Sequence, residues 1–369
     1  MSHPVLIIGG GVTGMHTALV LADLGISSII VEKKDDLGGR VRFLSRTFPF
    51  FTDDGFHNGM DFTTDLETLV RQCGRIQVRM NTSLVSVDGA FPLFKVRFDD
   101  GSQHDVGGIV VATGFEPFDP SSLGEYGYSR YANVITAPEL EWMLNVNGPT
   151  GGKLTRPSDG GQVSKMAIVF CVGSRNRRIG APFCSRICCS YSTKQALTVL
   201  EQSPGTEVCC FYMDVRTYDR GFEEMYSLAQ ERGVKYIRGR VSGCKQMDNQ
   251  RIYLRAEHTL IQKMYGDEFD LVSLSTGMRP CLEAEPLSEI LGIRRSEDGF
   301  FSSRAWFRFP HDSTRTGILI AGCATGMKPI RNCMMDGAAA ASRMASLLIQ
   351  ASKTSGDSSE AFSSGRITL

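Results

Sequence analysis

Four cysteines in the middle of the chain have the spacing of a metal or redox site. Cys171, Cys184, Cys188 and Cys189 lie within a short range that an arginine-rich loop interrupts. Such thiols can bind an iron–sulfur cluster or zinc, exchange as a thiol–disulfide pair, or pack as inert residues. Adjacent cysteines are awkward for a disulfide or an ordinary zinc ribbon, and arginine charge would offset a thiolate-bound cluster. The pattern therefore favours an iron–sulfur cluster and leaves zinc, a dithiol and packing as alternatives.

A second motif, near the N-terminus, is typical of dinucleotide binding. Gly9, Gly11 and Gly14 form a G-x-G-x-x-G turn after an apolar run, and Glu32 closes the next apolar run. Such glycines allow a tight turn, close approach of the backbone to a pyrophosphate, and close packing of the following helix. The helix N-terminus faces the phosphates and the carboxylate binds the ribose hydroxyls. The N-terminal residues therefore predict a Rossmann unit.

Three further segments indicate that the dinucleotide is FAD. The stretch 37–40 reads Leu-Gly-Gly-Arg and resembles flavoproteins with two dinucleotide-binding domains, where it wraps the FAD pyrophosphate. That resemblance implies Arg40 as a phosphate partner. Segments 109–114 and 317–322 are apolar runs that end in a small residue and glycine, which in those flavoproteins approach FAD. Because they lie far apart, a second domain is predicted between them.

The predicted insertion is itself α/β. It follows a Gly/Pro-rich linker at 148–161 and carries alternating strand and helix patterns. Strands are predicted at 165–170, 207–213 and 270–275, and helices at 193–200 and 223–231. The strand at 165–170 leads into Cys171 and not into G-x-G-x-x-G. The usual nicotinamide-nucleotide turn is therefore rebuilt around cysteine.

Charge and hydropathy narrow the function classes. Forty Lys plus Arg balance forty Asp plus Glu, and 42% of residues are hydrophobic. A neutral chain does not favour nucleic acid as a partner. No apolar run approaches a membrane span, and residues 1–4 lead directly into a strand without a charged leader. We therefore expect no transmembrane segment and a cytoplasmic location, where clustered cysteines indicate metal or redox chemistry.

The remaining cysteines are predicted to pack as small apolar residues. Cys323 differs because it directly follows Gly322 at the third predicted FAD segment. Either its thiol or its amide faces FAD, or it packs. Lys328, a few residues on, is a candidate for positive charge near the flavin, with a solvated loop lysine as the alternative.

Several longer strings resemble the A subunit of heterodisulfide reductases. The resemblance covers residues 5 to about 349. The strings that carry it are 148–152, 171–175, 184–197, 212–216, 221–224, 237–240 and 274–277. It implies an α/β, thioredoxin-reductase-like fold with a Rossmann FAD domain at 1–140 and 283–350, an inserted Rossmann-like domain at 141–282 that carries the four-cysteine site, and a flexible tail at 351–369.

The same resemblance assigns the site residues. It implies a 4Fe–4S cluster on Cys171, Cys184, Cys188 and Cys189. The predicted FAD-binding residues are Gly9, Gly11, Gly14, Glu32, Lys33, Gly39, Arg40, Val85, Ala112, Thr113, Gly114, Gly322, Cys323, Lys328 and Ile330.

The compact length points to one branch of this family. The sequence has no C-x-x-C-x-x-C run, so it resembles the A-like subunit of the heterodisulfide-reductase-like system of sulfur-oxidising bacteria. That protein works with B-like and C-like subunits and lipoate-binding proteins, and the family implies a homodimer. The prediction is an electron-transfer oxidoreductase subunit with FAD and 4Fe–4S. Alternatives are the A-like subunit of a quinone-interacting oxidoreductase, and an FAD-bound assembly subunit with a four-cysteine zinc site.

Overall fold

The computed structural model describes residues 3–47 and 58–361, which divide into two compact units. The first unit takes in the described residues of 1–41, 62–115 and 280–369, and the second those of 42–61 and 116–279. The strands are β1 (Val5–Ile8), β2 (Ser28–Val31), β3 (Ile76–Arg79), β4 (Leu84–Ala90), β5 (Leu93–Phe98), β6 (Gln103–Val106), β7 (Gly108–Val111), β8 (Phe115–Pro117), β9 (Val134–Thr136), β10 (Lys165–Val172), β11 (Glu207–Tyr212), β12 (Lys235–Arg238), β13 (Val241–Gln246), β14 (Ile252–His258), β15 (Lys263–Phe269), β16 (Leu271–Thr276), β17 (Met278–Pro280) and β18 (Ile318–Ile320). The α-helices are α1 (Val12–Asp23), α2 (Gly59–Gln72), α3 (Ala137–Leu144), α4 (Cys188–Gln202), α5 (Phe222–Glu231), α6 (Ala284–Leu291) and α7 (Ile330–Ala361).

The first unit is built on a five-stranded parallel sheet in the order β18-β7-β1-β2-β3. Every residue of β1, β2, β7 and β18 is buried, as expected for apolar strands covered on both faces. Helix α1 packs against α7, and it ends just before Gly25, which has a left-handed φ of +78°. A separate antiparallel sheet, β4-β5-β6, contacts α6 through β4. The predicted first dinucleotide-binding unit is therefore present.

The second unit repeats this architecture. Its parallel sheet has the order β12-β11-β10-β16-β9, and an antiparallel sheet β13-β14-β15 accompanies it. Helices α3, α4 and α5 belong to the same unit and pack near the parallel sheet. The predicted strands at 165–170, 207–213 and 270–275 correspond to β10, β11 and β16. The α/β class with two parallel-sheet units is confirmed.

The unit boundaries differ from the predicted 140/141 and 282/283. Strand β9 pairs in parallel with β16, Val134 opposite Val272, and so forms the edge of the second sheet. Residues 116–140 therefore belong to the second unit, and the predicted linker at 148–161 lies inside it. The described residues of 42–61 also join the second unit, although sequence from the first unit flanks them.

The C-terminal helix α7 extends into the predicted flexible tail. It continues to Ala361, so the first part of the predicted flexible tail is helical, and 362–369 lie outside the described residues. A polar segment can extend a helix whose earlier turns are packed, because propagation costs less than nucleation. Across the part of the chain that the structure describes, no helix has both the length and the apolar character of a membrane span.

A buried ion pair explains why the segment after residue 41 joins the second unit. Lys194 Nζ of α4 lies 2.6 Å from Glu141 Oε1 of α3, and the two side chains are 3% and 4% exposed. Ser45 donates its N–H and Oγ–H to Glu141 Oε2 at 2.9 and 2.8 Å, and Lys194 donates to the Arg46 carbonyl at 2.6 Å. Burial lowers the pKa of Lys194, and the Glu141 charge opposes that shift. The network ties residues 45 and 46 to both helices.

We expect Glu141→Gln to destabilise the protein by about 3 kcal/mol or more, because one partner of a buried ion pair is left without its counter-charge. Urea unfolding followed by circular dichroism measures the change. The deficit should shrink as pH rises, since a buried lysine with a lowered pKa favours the folded state more once it is deprotonated. The control is Arg232→Gln in the exposed pair with Glu201, which should cost less than about 1 kcal/mol. Equal effects of the two changes would contradict the prediction.

Candidate functional site

The glycine turn after β1 has no space for a side chain at Gly9 or Gly14, but it has space at Gly11, the middle glycine of the motif. A Cβ added to Gly14 would lie 1.9 Å from the Gly9 carbonyl oxygen, and one added to Gly9 would lie 2.5 Å from that of Ala112. Gly9 also has a φ of +109°. At Gly11, which precedes α1, an added Cβ would meet no atom within 4 Å. The turn therefore leaves room for a phosphate directly at the helix N-terminus.

The Glu32 carboxylate is held in a fixed orientation beside this turn. Its Oε2 accepts the Gly10 N–H at 2.7 Å, and its Oε1 accepts the Lys34 N–H at 3.0 Å. A carboxylate has about four lone-pair sites, so these two bonds leave acceptors for ribose hydroxyls. Gly10 was not predicted as a site residue, although a Cβ there would meet the Leu37 side chain at 2.3 Å. The extra glycine inside the motif was the available signal.

The predicted phosphate loop continues from this turn. Gly38 and Gly11 form an isolated parallel bridge, and Gly39, with φ of +58°, begins a short 3-10 helix. Arg40 donates from Nε to the Phe115 carbonyl at 2.9 Å, and its guanidinium lies 5.6 Å from the Phe115 ring centre. Arg40 is therefore anchored at the start of β8.

The end of β7 lies against the same turn. Ala112 donates its N–H to the Ile8 carbonyl at 2.8 Å, and the Thr113 hydroxyl lies 3.3 Å from the Cys281 sulfur. Gly114 has φ of +73°, and a Cβ added there would meet no atom within 4 Å. This segment therefore borders the glycine turn on one side and leaves free space at Gly114.

Two predicted FAD residues lie on the surface. Lys33 forms an ion pair with Glu283, in which both side chains are nearly half exposed. Val85 is 40% exposed on β4. Their roles toward FAD stay predictions.

The third predicted FAD segment follows β18. Gly322 has φ of +65°, and an added Cβ would lie 2.4 Å from Thr13 Oγ1. Its N–H donates to Asp336 Oδ2 at 3.2 Å. Lys328 donates to the same carboxylate and, at 2.7 Å, to the Thr325 hydroxyl. Asp336 therefore positions Lys328, a role that sequence reasoning missed because the two residues lie on either side of the start of α7.

Cys323 meets a cysteine for which no role was predicted. Its sulfur lies 3.5 Å from that of Cys333, on the first turn of α7, and both residues are buried. Ile330, the first residue of α7, is half-buried. Helix α7 thus brings Cys333 to the predicted FAD segment.

These observations fit FAD in the first unit. The space at Gly11 suits a pyrophosphate, and Glu32 offers acceptors for a ribose. Bound FAD would supply a group that accepts and donates one or two electrons.

Three of the four predicted cluster ligands come together in the second unit. Cys171 lies near the end of β10 with φ of +62°, a left-handed conformation that is uncommon for a residue with a Cβ. Cys188 and Cys189 begin α4. Cys188 shares thiol hydrogen bonds with both Cys171 and Cys189, and all three are buried. We call these three residues the thiol set.

The thiol set is polarised. The hydrogen bond from Cys188 lowers the pKa of Cys171 to about 7 and also lowers the pKa of Cys189, while the same bonds raise that of Cys188. The positive charges of Arg175 and Arg216 lower the pKa of Cys171 further. The site therefore stabilises thiolate, the form that binds metal.

Cys184 is separate from these hydrogen bonds. It is half-buried, and its sulfur accepts the Arg186 N–H at 3.3 Å. Among residues 3–47 and 58–361, no group of three or more His, Cys, Asp or Glu side chains is arranged to hold a metal ion. The thiol set has the soft donors that iron–sulfur clusters and zinc prefer, and assignment of all four cysteines to a cluster stays a prediction.

Buried polar side chains support the loop around the thiol set. The Ser174 and Ser185 hydroxyls lie 2.5 Å apart, and Ser185 accepts the Met278 N–H at 3.0 Å. Tyr191 donates to the Thr276 carbonyl at 2.8 Å. Burial and the neighbouring thiols raise the pKa of Tyr191, so it remains a neutral donor. These residues were missed because Ser and Tyr carry no metal-site signal in sequence.

Arginines are concentrated at the carboxyl edge of the parallel sheet that carries the thiol set. The ends of β10, β11 and β12 and the loops after them carry eight arginines against two aspartates, Asp214 and Asp219, in a chain of zero net charge. We call these arginines the arginine face: Arg175, Arg177, Arg178, Arg186, Arg216, Arg220, Arg238 and Arg240. Asp214 pairs with Arg175 at 2.7 Å and with Arg238 at 3.9 Å, and its carbonyl oxygen lies 3.7 Å from the Cys189 sulfur.

Part of the arginine face is exposed to solvent. Arg177, Arg178 and Arg216 are exposed, and none of them forms an ion pair with a carboxylate in the described part of the chain. The face is therefore a strongly positive surface beside buried thiols.

Comparison with solved structures identifies the fold. The chain is similar to thioredoxin reductase from Lactococcus lactis, with a TM-score of 0.66 and 16% identity, over 95% of this chain and 100% of that one. It is also similar to thioredoxin reductase from T. acidophilum, with a TM-score of 0.64 and 14% identity, over 93% of this chain and 98% of that one. The predicted thioredoxin-reductase-like fold is confirmed.

Comparison with curated proteins confirms the sequence resemblance. The chain is 33% identical, over 92% of its length, to the A subunit of the H(2):CoB-CoM heterodisulfide,ferredoxin reductase of Methanothermobacter thermautotrophicus. It is 34% identical, over 91% of its length, to the iron-sulfur A subunit of the CoB–CoM heterodisulfide reductase of Methanocaldococcus jannaschii. The chain spans 63% of the length of each of these relatives.

The profile of one protein family matches nearly the whole chain. It covers residues 3–337, which include all of the second compact unit and most of the first, and is described as pyridine nucleotide-disulphide oxidoreductase. With the predicted enzyme class confirmed, the chain belongs to the pyridine nucleotide-disulphide oxidoreductase family and is an FAD-dependent oxidoreductase.

Proposed function

We propose that this protein is the electron-transfer subunit of a heterodisulfide-reductase-like complex in sulfur metabolism, with FAD in the first unit and a 4Fe–4S cluster in the second. The observation that carries the proposal is the thiol set, which lies at the end of β10 and the start of α4, the two elements that a glycine turn would join in a nicotinamide-nucleotide unit. FAD exchanges electron pairs, whereas a 4Fe–4S cluster normally transfers single electrons, so the pair would connect two-electron and one-electron chemistry.

The proposed FAD site rests on space and on acceptors. The open position at Gly11 would receive the pyrophosphate, and the N–H groups at the start of α1 would donate to it. Glu32, already oriented by Gly10, would accept the ribose hydroxyls. Lys328, held by Asp336, would place positive charge on the side of α7.

The proposed cluster site rests on the thiol set and on local charge. Cys171, Cys188 and Cys189 share hydrogen bonds, and Cys184 lies on the same loop. Arginine charge offsets the negative charge that four thiolates bring to a cluster. One of the similar proteins is named an iron-sulfur subunit, which supports the same assignment.

The proposed partners are B-like and C-like subunits, with a lipoate-binding protein as a further partner. The similar proteins are named as one subunit of a larger enzyme, which supports a multi-subunit assembly. The arginine face supports a docking site for an acidic protein, because complementary charge steers association. A homodimer and a cytoplasmic location stay predictions from the sequence.

We expect Gly11→Ala to weaken FAD binding without unfolding the protein. The added Cβ meets no protein atom, and the Gly11 φ of −73° suits any residue, so the change acts on the ligand. Bound FAD per chain, measured by absorbance, should fall, with affinity lowered about tenfold or more, equivalent to at least about 1.4 kcal/mol.

Gly74→Ala is the matched control, because an added Cβ there also meets no atom within 4 Å. It should keep FAD. After FAD has been removed from all three proteins, both variants should unfold at the same temperature as the parent. Full retention of FAD by Gly11→Ala would count against FAD binding at the glycine turn.

We expect the Cys188→Ala, Cys189→Ala double variant to lose its metal group. Anaerobically purified parent protein should contain about four irons and four acid-labile sulfides per chain, and the variant almost none. Cys244→Ala on β13 is the control, since Cys244 lies in the same unit but outside the thiol set. Zinc without sulfide in the parent protein would support the alternative of an assembly protein, and no metal at all would refute the cluster.

We expect the Arg177→Glu, Arg178→Glu double variant to associate about tenfold more slowly with the C-like subunit at low salt, because steering depends on the charge of exposed arginines. Stopped-flow or surface-based kinetics at several salt concentrations would measure the rate. The difference from the parent should diminish as salt rises. Arg255→Glu, on β14 of the same unit, should have little effect. Equal slowing by both changes would argue against the arginine face as the docking site.

A further inference from the structure

Cys323 and Cys333 form a second pair of neighbouring thiols, in the first unit and apart from the thiol set. Cys323 lies on the short 3-10 helix Gly322–Thr325, and Cys333 lies on the first turn of α7. Their sulfur atoms are 3.5 Å apart. Packing of small apolar side chains explains a single buried cysteine, but it does not require two sulfurs to face each other.

The two sulfurs share one polar neighbour. They lie 3.5 Å and 3.9 Å from the Lys328 carbonyl oxygen, Cys323 being the nearer. The ammonium group of Lys328 is bonded to Asp336 and Thr325. Each thiol can therefore donate a hydrogen bond, and a positive charge lies on the same residue.

Two other buried cysteines face groups of a different kind. Cys281, in the same unit, is 6% exposed, as Cys333 is, but its sulfur faces the Thr113 hydroxyl at 3.3 Å. Cys209 in the second unit faces a Glu207 carboxylate oxygen at 3.6 Å. Cys281 therefore provides an internal reference for a cysteine that is as buried as Cys333.

We propose that Cys323 and Cys333 are a redox-active dithiol that exchanges with small disulfides. One thiol, as thiolate, attacks a sulfur of the external disulfide, forms a mixed disulfide and releases one small thiol. The second thiol, losing its proton, then attacks the protein sulfur of the mixed disulfide and releases the other small thiol. The two protein thiols lose two electrons and two protons, and the external disulfide gains both to become two thiols.

The surroundings distinguish the two cysteines. The hydrogen bond from Cys333 and the nearby Lys328 lower the pKa of Cys323, whereas the same hydrogen bond and burial raise the pKa of Cys333. A thiolate is the attacking species in exchange. Cys323 is therefore the first nucleophile, and Cys333 resolves the mixed disulfide.

The distance between the two sulfur atoms allows them to form a disulfide bond. A disulfide bond needs the sulfurs to approach by about 1.5 Å, which rotation of short side chains can supply. Residues 325–328, between the two cysteines in sequence, are half-buried, and a Cβ added at Gly326 would meet no atom within 4 Å. The proposal places the entry of a small disulfide at this segment.

The experiment uses the FAD-loaded protein, first reduced and then incubated with bis(2-hydroxyethyl) disulfide. Trypsin cuts after Arg315, Arg331 and Arg343, so Cys323 and Cys333 fall on separate peptides, 316–331 and 332–343. We expect a linked peptide two hydrogens lighter than the sum of the two, with Cys281 still open to alkylation. Dithiothreitol should reverse the link.

Two variants test the roles of the thiols. Cys333→Ser should trap the small thiol on peptide 316–331, because the resolving sulfur is absent, and Cys323→Ser should gain at least tenfold less adduct on peptide 332–343. Folding is checked in each by circular dichroism and bound FAD. The proposal is refuted if the folded parent keeps both thiols free under conditions that oxidise dithiothreitol. A link from either cysteine to a different one would refute it equally.

Discussion

Close approach of backbone at the carboxyl end of β1 is the constraint on which the first unit depends. The Gly14 position touches the Gly9 carbonyl, and the Gly9 position touches Ala112, so turn, helix and neighbouring strand are mutually locked. Helix α1 in turn packs against α7. The positions of Cys333 and Asp336 on α7 therefore depend on backbone contacts made at glycines, which have no side chain. A larger residue at Gly14 would displace the helices and not merely the turn.

The second unit keeps the parallel sheet and changes the chemistry at its carboxyl edge. That edge is where ligands bind in open α/β sheets. Cysteines lie at the end of β10 and the start of α4, no G-x-G-x-x-G turn joins these elements, and arginine dominates the loops that follow β10, β11 and β12. One architecture is therefore used twice, once with backbone N–H groups and a carboxylate and once with thiols and guanidinium groups.

Local sequence patterns predicted the fold well. Contacts between residues that lie far apart in sequence explain what was missed. Apolar runs located β1, β10, β11 and β16, because a strand covered on both faces has a continuous apolar sequence. Strand β9 has only three residues, and its place was set by pairing with β16, so the domain boundary was predicted too late. Cys333 and Asp336 had no local motif, since their neighbours come from the other side of a helix start. The site roles predicted for Val85 and Lys33 have no such geometric support.

The anchoring of Ser45 and Arg46 on Glu141 and Lys194 affects how the protein assembles. The chain passes between the units four times, at 41/42, 61/62, 115/116 and 279/280. The second unit therefore needs a segment made long before the rest of it during synthesis. A fragment of residues 116–279 alone would bury Glu141 without its hydrogen-bond donors from Ser45. Each unit is compact, but the two are interleaved in sequence. The second unit therefore cannot be exchanged as one continuous segment of the chain.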